Sequence, residues 1–264
     1  MGESSHFFSC RCVPELYYAG NRERRQSLDI YMPEQTQGPV PVILNIHGGA
    51  WKVGDKGAPG GEVFFVEAGF ALVRVNYRYS TQAPYPAQLE DLHSAIRYLQ
   101  KNAEALGLDM DRLVCIGHSA GGHLASMLAL TARQSPDIQI RACVNQAGPT
   151  QLADLGQWRV QNKPSDGLNS IETLMGAPFP ECAKKAAESS PVNHAHADAP
   201  PHLLIYGDAD ETVPHSEGQA LQTALEKSGA QSELCTLPGA GHVAPEFWQE
   251  PNYQRILDFY RKHL

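Results

Sequence analysis

The sequence lacks a surplus of positive charge and has no long apolar run. It contains 21 Lys and Arg against 29 Asp and Glu, which gives a formal net charge of −8 at pH 7. Nucleic-acid binding needs clustered Lys and Arg to neutralise phosphates, so this balance argues against a nucleic-acid partner. The only basic cluster, Arg22, Arg24 and Arg25, is interpreted as a solvated turn before a strand.

No apolar run approaches the roughly 18 residues that a membrane span requires, so no span is predicted. The N-terminus also lacks the apolar core of a signal peptide. A cytoplasmic location is therefore expected, or a secreted one if a signal peptide has been removed.

The cysteines are spread along the chain and follow no metal or redox pattern. The six cysteines lack the paired Cys-x-x-Cys spacing of zinc and redox sites. Cys115, Cys143 and Cys235 lie in apolar runs, where a thiol packs as a small hydrophobic group. Cys10 and Cys12 are interpreted as free thiols, with oxidation or metal binding as the alternative. No cofactor and no metal site are predicted.

Short β-branched runs alternate with amphipathic helical segments, which is typical of an α/β fold with a mostly parallel sheet covered by helices on both faces. Strands are predicted at 27–32, 40–47, 71–77, 112–117, 141–146, 202–207 and 231–237, and helices at 61–67, 86–102, 119–133, 215–228 and 246–263. Between about 148 and 200 this rhythm breaks, with short helical stretches near 169–175 and 181–188. We predict a single domain over residues 1–264, with a small insertion at 148–200 over the active-site end of the sheet.

The segment Gly117-His118-Ser119-Ala120-Gly121 follows an apolar strand and opens a helical run, which is the context of a nucleophile elbow. Such a turn strains the serine backbone, and glycines on both sides make room for it. The helix N-terminus directs free amides at the reacting atom. The pattern therefore predicts that Ser119 is a nucleophile.

A serine hydroxyl is a poor nucleophile at neutral pH and needs a base within hydrogen-bond reach. In folds with this elbow the order along the chain is Ser, then Asp or Glu, then His. His242 fits that order because it follows the last predicted strand and precedes the final helix. Asp210, on the loop after strand 202–207, is predicted to orient the imidazole, in preference to Asp208, which is expected to bind loop amides.

An oxyanion loop is predicted at His47-Gly48-Gly49-Ala50-Trp51, at the end of strand 40–47. Small residues let backbone amides approach a developing alkoxide closely. Gly49, Ala50 and the more distant Ala120 are the predicted donors, and Gly48 is the alternative to one of them. Trp51 is predicted to crowd the acyl side of the site, with packing under the loop as the alternative.

These motifs resemble the hormone-sensitive-lipase-like branch of the α/β-hydrolases, and within it the group of acetyl-xylan and feruloyl esterases and kynurenine formamidases. The matching segments are 47–51, 75–78, 84–88 with Asp91, 117–124, 207–214 and 241–242. In that family the second aspartate after the strand glycine is the acid, which supports Asp210. Ala50, in place of a third glycine, is typical of the feruloyl-esterase and formamidase group. Tyr79 begins a loop that differs from the lipase-like sequence and borders the acyl side, so it is also expected to contact substrate.

The resemblance implies hydrolysis of small short-chain acyl esters through an acyl-enzyme, with acetyl or feruloyl esters of plant polysaccharide as candidate substrates. Hydrolysis of N-formylkynurenine or a related amide by the same machinery is the alternative. A binding protein on a hydrolase scaffold is a third class, and it is expected where the triad has decayed. Ser119, Asp210 and His242 are all retained here, which argues against that class.

Overall fold

The protein is described from a computed structural model, which covers residues 10–57, 62–162 and 169–264. Within these ranges one sheet contains eight strands: β1 Cys10–Tyr17, β2 Ser27–Pro33, β3 Val40–Ile46, β4 Ala71–Val75, β5 Leu108–His118, β6 Cys143–Gln146, β7 His202–Gly207 and β8 Ser232–Leu237. Their spatial order is β1-β2-β4-β3-β5-β6-β7-β8. β2 is antiparallel to both of its neighbours, and all other pairs are parallel. The predicted α/β fold with a mostly parallel sheet is confirmed.

The described helices are α1 Val63–Glu67, α2 Ala87–Leu106, α3 Ala120–Thr131, α4 Leu152–Asn162, α5 Ser170–Met175, α6 Ala183–Glu188, α7 His215–Ser228 and α8 Glu250–His263. The first predicted helix, 61–67, starts at Val63, and its residue 61 lies outside the described ranges. The final one starts later than predicted, because residues Pro245–Trp248 form a separate 3-10 turn before α8. None of the described helices is long and apolar enough to span a membrane.

The central strands are buried on both faces, which explains their continuous apolar sequences. In β3 the successive residues Ile43 and Leu44 are both fully buried, because they point to opposite faces that are each covered. Helices α2 and α3 cover the face of Leu44, whereas α1 and α8 contribute to the core around Ile43. The sheet therefore holds the loops at the carboxyl ends of its parallel strands on a rigid base.

Strand β1 was not predicted, because it lies at the edge of the sheet and carries few core residues. Its pairing with β2 shifts register between Val13 and Leu16, around Pro14 and the positive φ of Glu15. An edge strand tolerates proline and irregular pairing, since one of its sides has no partner strand. All six cysteines are free thiols.

The insertion contains α4, α5 and α6, of which α4 was not predicted. Gly156, in the middle of α4, weakens the helical signal in the sequence, since glycine is a poor helix former. In the structure a Cβ at Gly156 would lie 2.5 Å from the ring of Phe179. Packing against Phe179 therefore requires glycine at position 156, although glycine lowers the local helix propensity.

Candidate active site

The predicted nucleophile elbow is a tight turn between β5 and α3. Ser119 has φ 56° and ψ −122°, a strained backbone conformation for a residue with a side chain. Its amide donates to the Gln146 carbonyl at 2.8 Å, and its carbonyl accepts from the His123 amide at 3.0 Å. A Cβ at Gly117 would lie 2.2 Å from Gly121, so only glycine allows this approach. These contacts fix the strained turn and hold the serine at the carboxyl end of β5.

The structure brings the three predicted triad side chains into one hydrogen-bonded chain. The Ser119 Oγ lies 2.8 Å from His242 Nε2, and His242 Nδ1 donates to Asp210 Oδ2 at 2.7 Å. Ser119 is more than a hundred residues from His242 in sequence, and the three residues lie on different loops. An imidazole held by a carboxylate in this way is positioned to accept the serine proton.

The two aspartates of the loop after β7 make different contacts. The second carboxylate oxygen of Asp210 accepts from the amides of Thr212 and Val213 at 2.7 and 2.9 Å. Burial raises the pKa of Asp210, but the hydrogen bonds from His242 and these amides outweigh it, so the pKa lies below its usual value. Asp208 instead accepts from the Gly239 amide at 2.6 Å, which ties this loop to the loop before His242.

The predicted oxyanion loop lies against the elbow. A Cβ at Gly48 would meet the His118 carbonyl at 2.8 Å and the Ser119 Cβ at 3.4 Å. Ala50 and Ala120 both line a cavity beside Ser119. The carbonyl of Gly49 accepts from the amide of Val53 at 3.0 Å and closes the turn after the loop. The loop and the start of α3 thus meet next to the serine, where amide donors can stabilise negative charge.

Trp51 is buried under the loop and also lines the cavity beside Ser119, so both interpretations of this residue describe part of its position. Its indole nitrogen donates to His123 Nδ1 at 3.1 Å, and His123 Nε2 donates to the Ser189 carbonyl at 2.8 Å. Burial lowers the pKa of His123 to about 4, so the ring is neutral at neutral pH and accepts the indole proton.

Tyr79, the other residue expected to contact substrate, lies against Arg25. The Arg25 guanidinium is 4.2 Å from the centre of the Tyr79 ring. The Tyr79 hydroxyl donates to the Gly54 carbonyl and accepts from Arg25 Nη1. Tyr79 is absent from the lining of the cavity beside Ser119. Its contacts place it behind the oxyanion loop rather than beside the serine.

His118, next to the serine, supports the other side of the site, which the sequence did not predict. Its Nε2 donates to the His242 carbonyl at 2.8 Å, and its ring packs edge-on to Phe247. Burial lowers the pKa of His118 to about 4, so it acts as a neutral donor. Its position within the elbow motif was the available signal, but the motif does not indicate the direction of the side chain.

A cavity of about 50 Å³ lies beside Ser119 and ends against the insertion. The insertion contributes the apolar side chains of Leu155 on α4 and Ile171 on α5, and the cavity also contains Val213 from the loop after β7. Arg159 lines it as well and donates to the Thr212 carbonyl at 2.8 Å, next to an amide that holds Asp210. The described part of the insertion therefore forms one wall of the cavity beside Trp51.

In the described ranges, no three or more His, Cys, Asp or Glu side chains are grouped in a way that could hold a metal ion.

Comparison with known proteins places this arrangement in a family. The BD-FAE family model matches residues 28–225. The chain belongs to the BD-FAE family. The predicted resemblance to hormone-sensitive-lipase-like α/β-hydrolases is thereby confirmed, and the match includes Ser119 and Asp210 but ends before His242.

Curated relatives of this BD-FAE chain carry esterase names. Esterase LipQ of Mycobacterium tuberculosis is 29% identical over 240 residues, covering 86% of this chain and 56% of LipQ. An ethyl acetate hydrolase of Pseudomonas putida is 27% identical over 245 residues, covering 88% of this chain and 75% of its own length. The chain thus spans little more than half the length of LipQ.

Solved structures with the same fold include a carbohydrate esterase and a bifunctional GH43-CE protein. A truncated carbohydrate esterase from gut microbiota superposes with a TM-score of 0.87 at 26% identity, covering 100% of this chain and 99% of that one. A bifunctional GH43-CE protein of Bacteroides eggerthii gives a TM-score of 0.84 at 26% identity, covering 96% of this chain and 35% of that one. The α/β-hydrolase fold of this BD-FAE chain is therefore confirmed.

Proposed function

We propose that this chain hydrolyses carboxylic esters with short acyl groups through an acyl-enzyme on Ser119, with His242 as general base and Asp210 as the acid that orients it. The observation that carries the proposal is the hydrogen-bonded chain from Ser119 Oγ to His242 Nε2 at 2.8 Å and from His242 Nδ1 to Asp210 at 2.7 Å. The esterase names of the relatives support the same reaction class.

In the proposed reaction, His242 Nε2 takes the proton of Ser119 as Oγ attacks the ester carbonyl carbon. The carbonyl oxygen becomes an oxyanion, and amides of the loop 48–50 and of Ala120 stabilise its charge. The tetrahedral intermediate collapses, the bond to the alcohol oxygen breaks, and His242 protonates the departing alkoxide. Water then attacks the acyl-enzyme with His242 again as base, which releases the acid and restores Ser119.

The small cavity beside Ser119 supports a short acyl group. Its volume is about 50 Å³, and Trp51, Leu155 and Ile171 form much of its apolar wall. A cavity that holds a benzene ring is about three times larger, about 150 Å³. We therefore propose that catalytic efficiency is highest for acyl groups of about two to four carbons and falls by roughly tenfold or more for about ten, because misplacement at the serine outweighs the gain from burial.

The carbohydrate esterase and GH43-CE neighbours support acetylated polysaccharide as a candidate substrate. The panel that tests the proposal contains p-nitrophenyl acetate, butyrate and decanoate, acetylated xylan, methyl ferulate and N-formylkynurenine. A preference for N-formylkynurenine over every ester in the panel would replace ester by amide hydrolysis as the main activity.

The role of the serine is tested by Ser119→Ala, which should lower kcat by several orders of magnitude because the three residues act as a unit. Ser94→Ala removes a hydroxyl on α2 that bonds the Glu90 carbonyl and serves as the matched control. Labelling by a fluorophosphonate should likewise be lost only in Ser119→Ala. Retention of a tenth of wild-type kcat by folded Ser119→Ala would reject the proposed nucleophile.

A further inference from the structure

The environment of Arg25 differs from its interpretation by sequence. Its side chain is only 12% exposed, whereas that of Arg24 is 67% exposed. Its guanidinium donates to the Tyr77 carbonyl at 3.3 Å, to the Gly54 carbonyl at 2.9 Å and to Asp55 Oδ2 at 3.2 Å. Arg25 is therefore not part of a solvated turn.

A further contact of Arg25 reaches the start of the oxyanion loop. Its Nη2 donates to His47 Nε2 at 3.0 Å, and His47 Nδ1 donates to the Gly48 carbonyl at 2.7 Å. Burial lowers the pKa of His47 to about 4, so the ring is neutral and the two nitrogens have opposite roles. The guanidinium, which only donates, selects the tautomer with the proton on Nδ1.

The imidazole is also fixed in orientation. The His47 and Tyr77 rings stack with centres 4.3 Å apart and planes 14° from parallel. The Tyr77 hydroxyl donates to the His47 carbonyl at 2.9 Å. With the guanidinium on one side and Tyr77 below, the ring has a single position from which Nδ1 reaches the Gly48 carbonyl.

Arg25 also holds the far end of the same turn. A Cβ at Gly54 would lie 2.4 Å from the Gly48 carbonyl, so the two glycines are packed directly together. Arg25 binds the Gly54 carbonyl itself and is stacked on Tyr79, whose hydroxyl binds that carbonyl as well. The Arg25 guanidinium thus restrains both ends of the turn between His47 and Gly54.

From this network we infer that Arg25 is a positioning residue that sets the oxyanion loop, through His47 and Gly54, at the distance from Ser119 at which its amides stabilise the transition state. The inference rests on the proposed function. Arg25 lies before the residues matched by the BD-FAE model, which begin at residue 28, so the turn before β2 contributes to the site from outside the matched region.

The effect on catalysis follows from geometry. A displaced amide donor binds the ground-state carbonyl almost as well but the transition-state oxyanion less well, so the loss appears in kcat rather than in KM. Removal of a whole oxyanion donor costs about 100- to 1,000-fold in kcat. Misplacement of the loop should cost less, and we expect about 10- to 100-fold.

The test compares Arg25→Met with Arg24→Met on p-nitrophenyl butyrate. The control removes an exposed guanidinium that pairs with the same carboxylate, Asp55, at the surface of the protein. Arg25→Met should lower kcat by about 10- to 100-fold with KM changed less than about threefold, and Arg24→Met should leave both within about twofold.

A second measurement separates positioning from general loosening of the protein. An alkylboronic acid forms a tetrahedral adduct with serine that places an oxygen where the oxyanion forms. Its inhibition constant should rise in Arg25→Met by about the factor by which kcat falls. Arg25→Lys retains a cation with donors but no planar fork, and should recover part of both losses.

Folded Arg25→Met with kcat within threefold of wild type, a rise in KM alone, or an unchanged boronate inhibition constant would overturn the inference. If Arg25→Met does not fold, Arg25→Lys provides the test, because a wild-type kcat in Arg25→Lys would also overturn the inferred positioning role. Failure of the proposed function is distinguishable, because then wild type lacks activity on the ester panel or Ser119→Ala retains it.

Discussion

The insertion should set the acyl chain length, and Ile171→Ala tests this most directly. Ile171 is buried on α5 and lines the cavity of about 50 Å³ beside Ser119. The substitution removes three carbon atoms from the wall and extends the space available to an acyl chain. Each additional methylene that becomes buried contributes about 0.8 kcal/mol, which is about fourfold in efficiency.

The magnitude follows from this count. Relative to acetate, efficiency on a hexanoate ester should rise by about fourfold if one methylene is accommodated and by up to about 60-fold if three are. The optimum should move from about two to four acyl carbons towards about six. The assay is kcat/KM across a p-nitrophenyl ester series, with active enzyme counted by fluorophosphonate titration so that unfolded protein does not contribute.

Leu174→Ala is the matched control, because Leu174 lies on the same helix and is fully buried but is not part of the cavity lining. Each substitution should lower the free energy of unfolding by about 2–5 kcal/mol. Only Ile171→Ala should change the chain-length profile. An unchanged profile in Ile171→Ala, or the same shift in Leu174→Ala, would refute the argument that this wall determines acyl length.

Two further predictions concern acid–base groups. Asp210→Asn should lower kcat by about four orders of magnitude, whereas Asp208→Asn should lower it far less, because only Asp210 contacts the imidazole. The reverse order in steady-state kinetics would reassign the acid to Asp208. The free energy of unfolding should fall as pH drops from about 6.5 towards 4, because buried His123, with its pKa lowered to about 4, stays neutral while the unfolded chain takes up a proton. His123→Asn should reduce the difference in denaturant midpoint between pH 7 and pH 5, and an identical difference in both proteins would contradict the assignment.

Local patterns in the sequence were enough to predict the order of the strands and helices, apart from β1 and α4. Buried parallel strands such as β3 and β7 are continuous apolar runs, and their signal depends only on neighbouring residues. The elbow was predictable for the same reason, because Gly117 and Gly121 are required by a turn within a few residues of Ser119. The edge strand β1 and helix α4 escaped prediction, since their stability depends on pairing and packing with distant segments.

For the candidate site, the sequence determined which side chains carry reactive groups and in which order they follow one another, because a strand-to-helix turn and the loops after later strands can be read locally. The tertiary structure decided the directions and distances. It turned the Trp51 indole towards His123, placed Tyr79 behind the oxyanion loop and buried Arg25 beneath it. It also placed Ile171 of the insertion in the wall of the cavity beside Ser119. These features depend on contacts between residues far apart in the chain, whose geometry is set only when the sheet and its covering helices pack together.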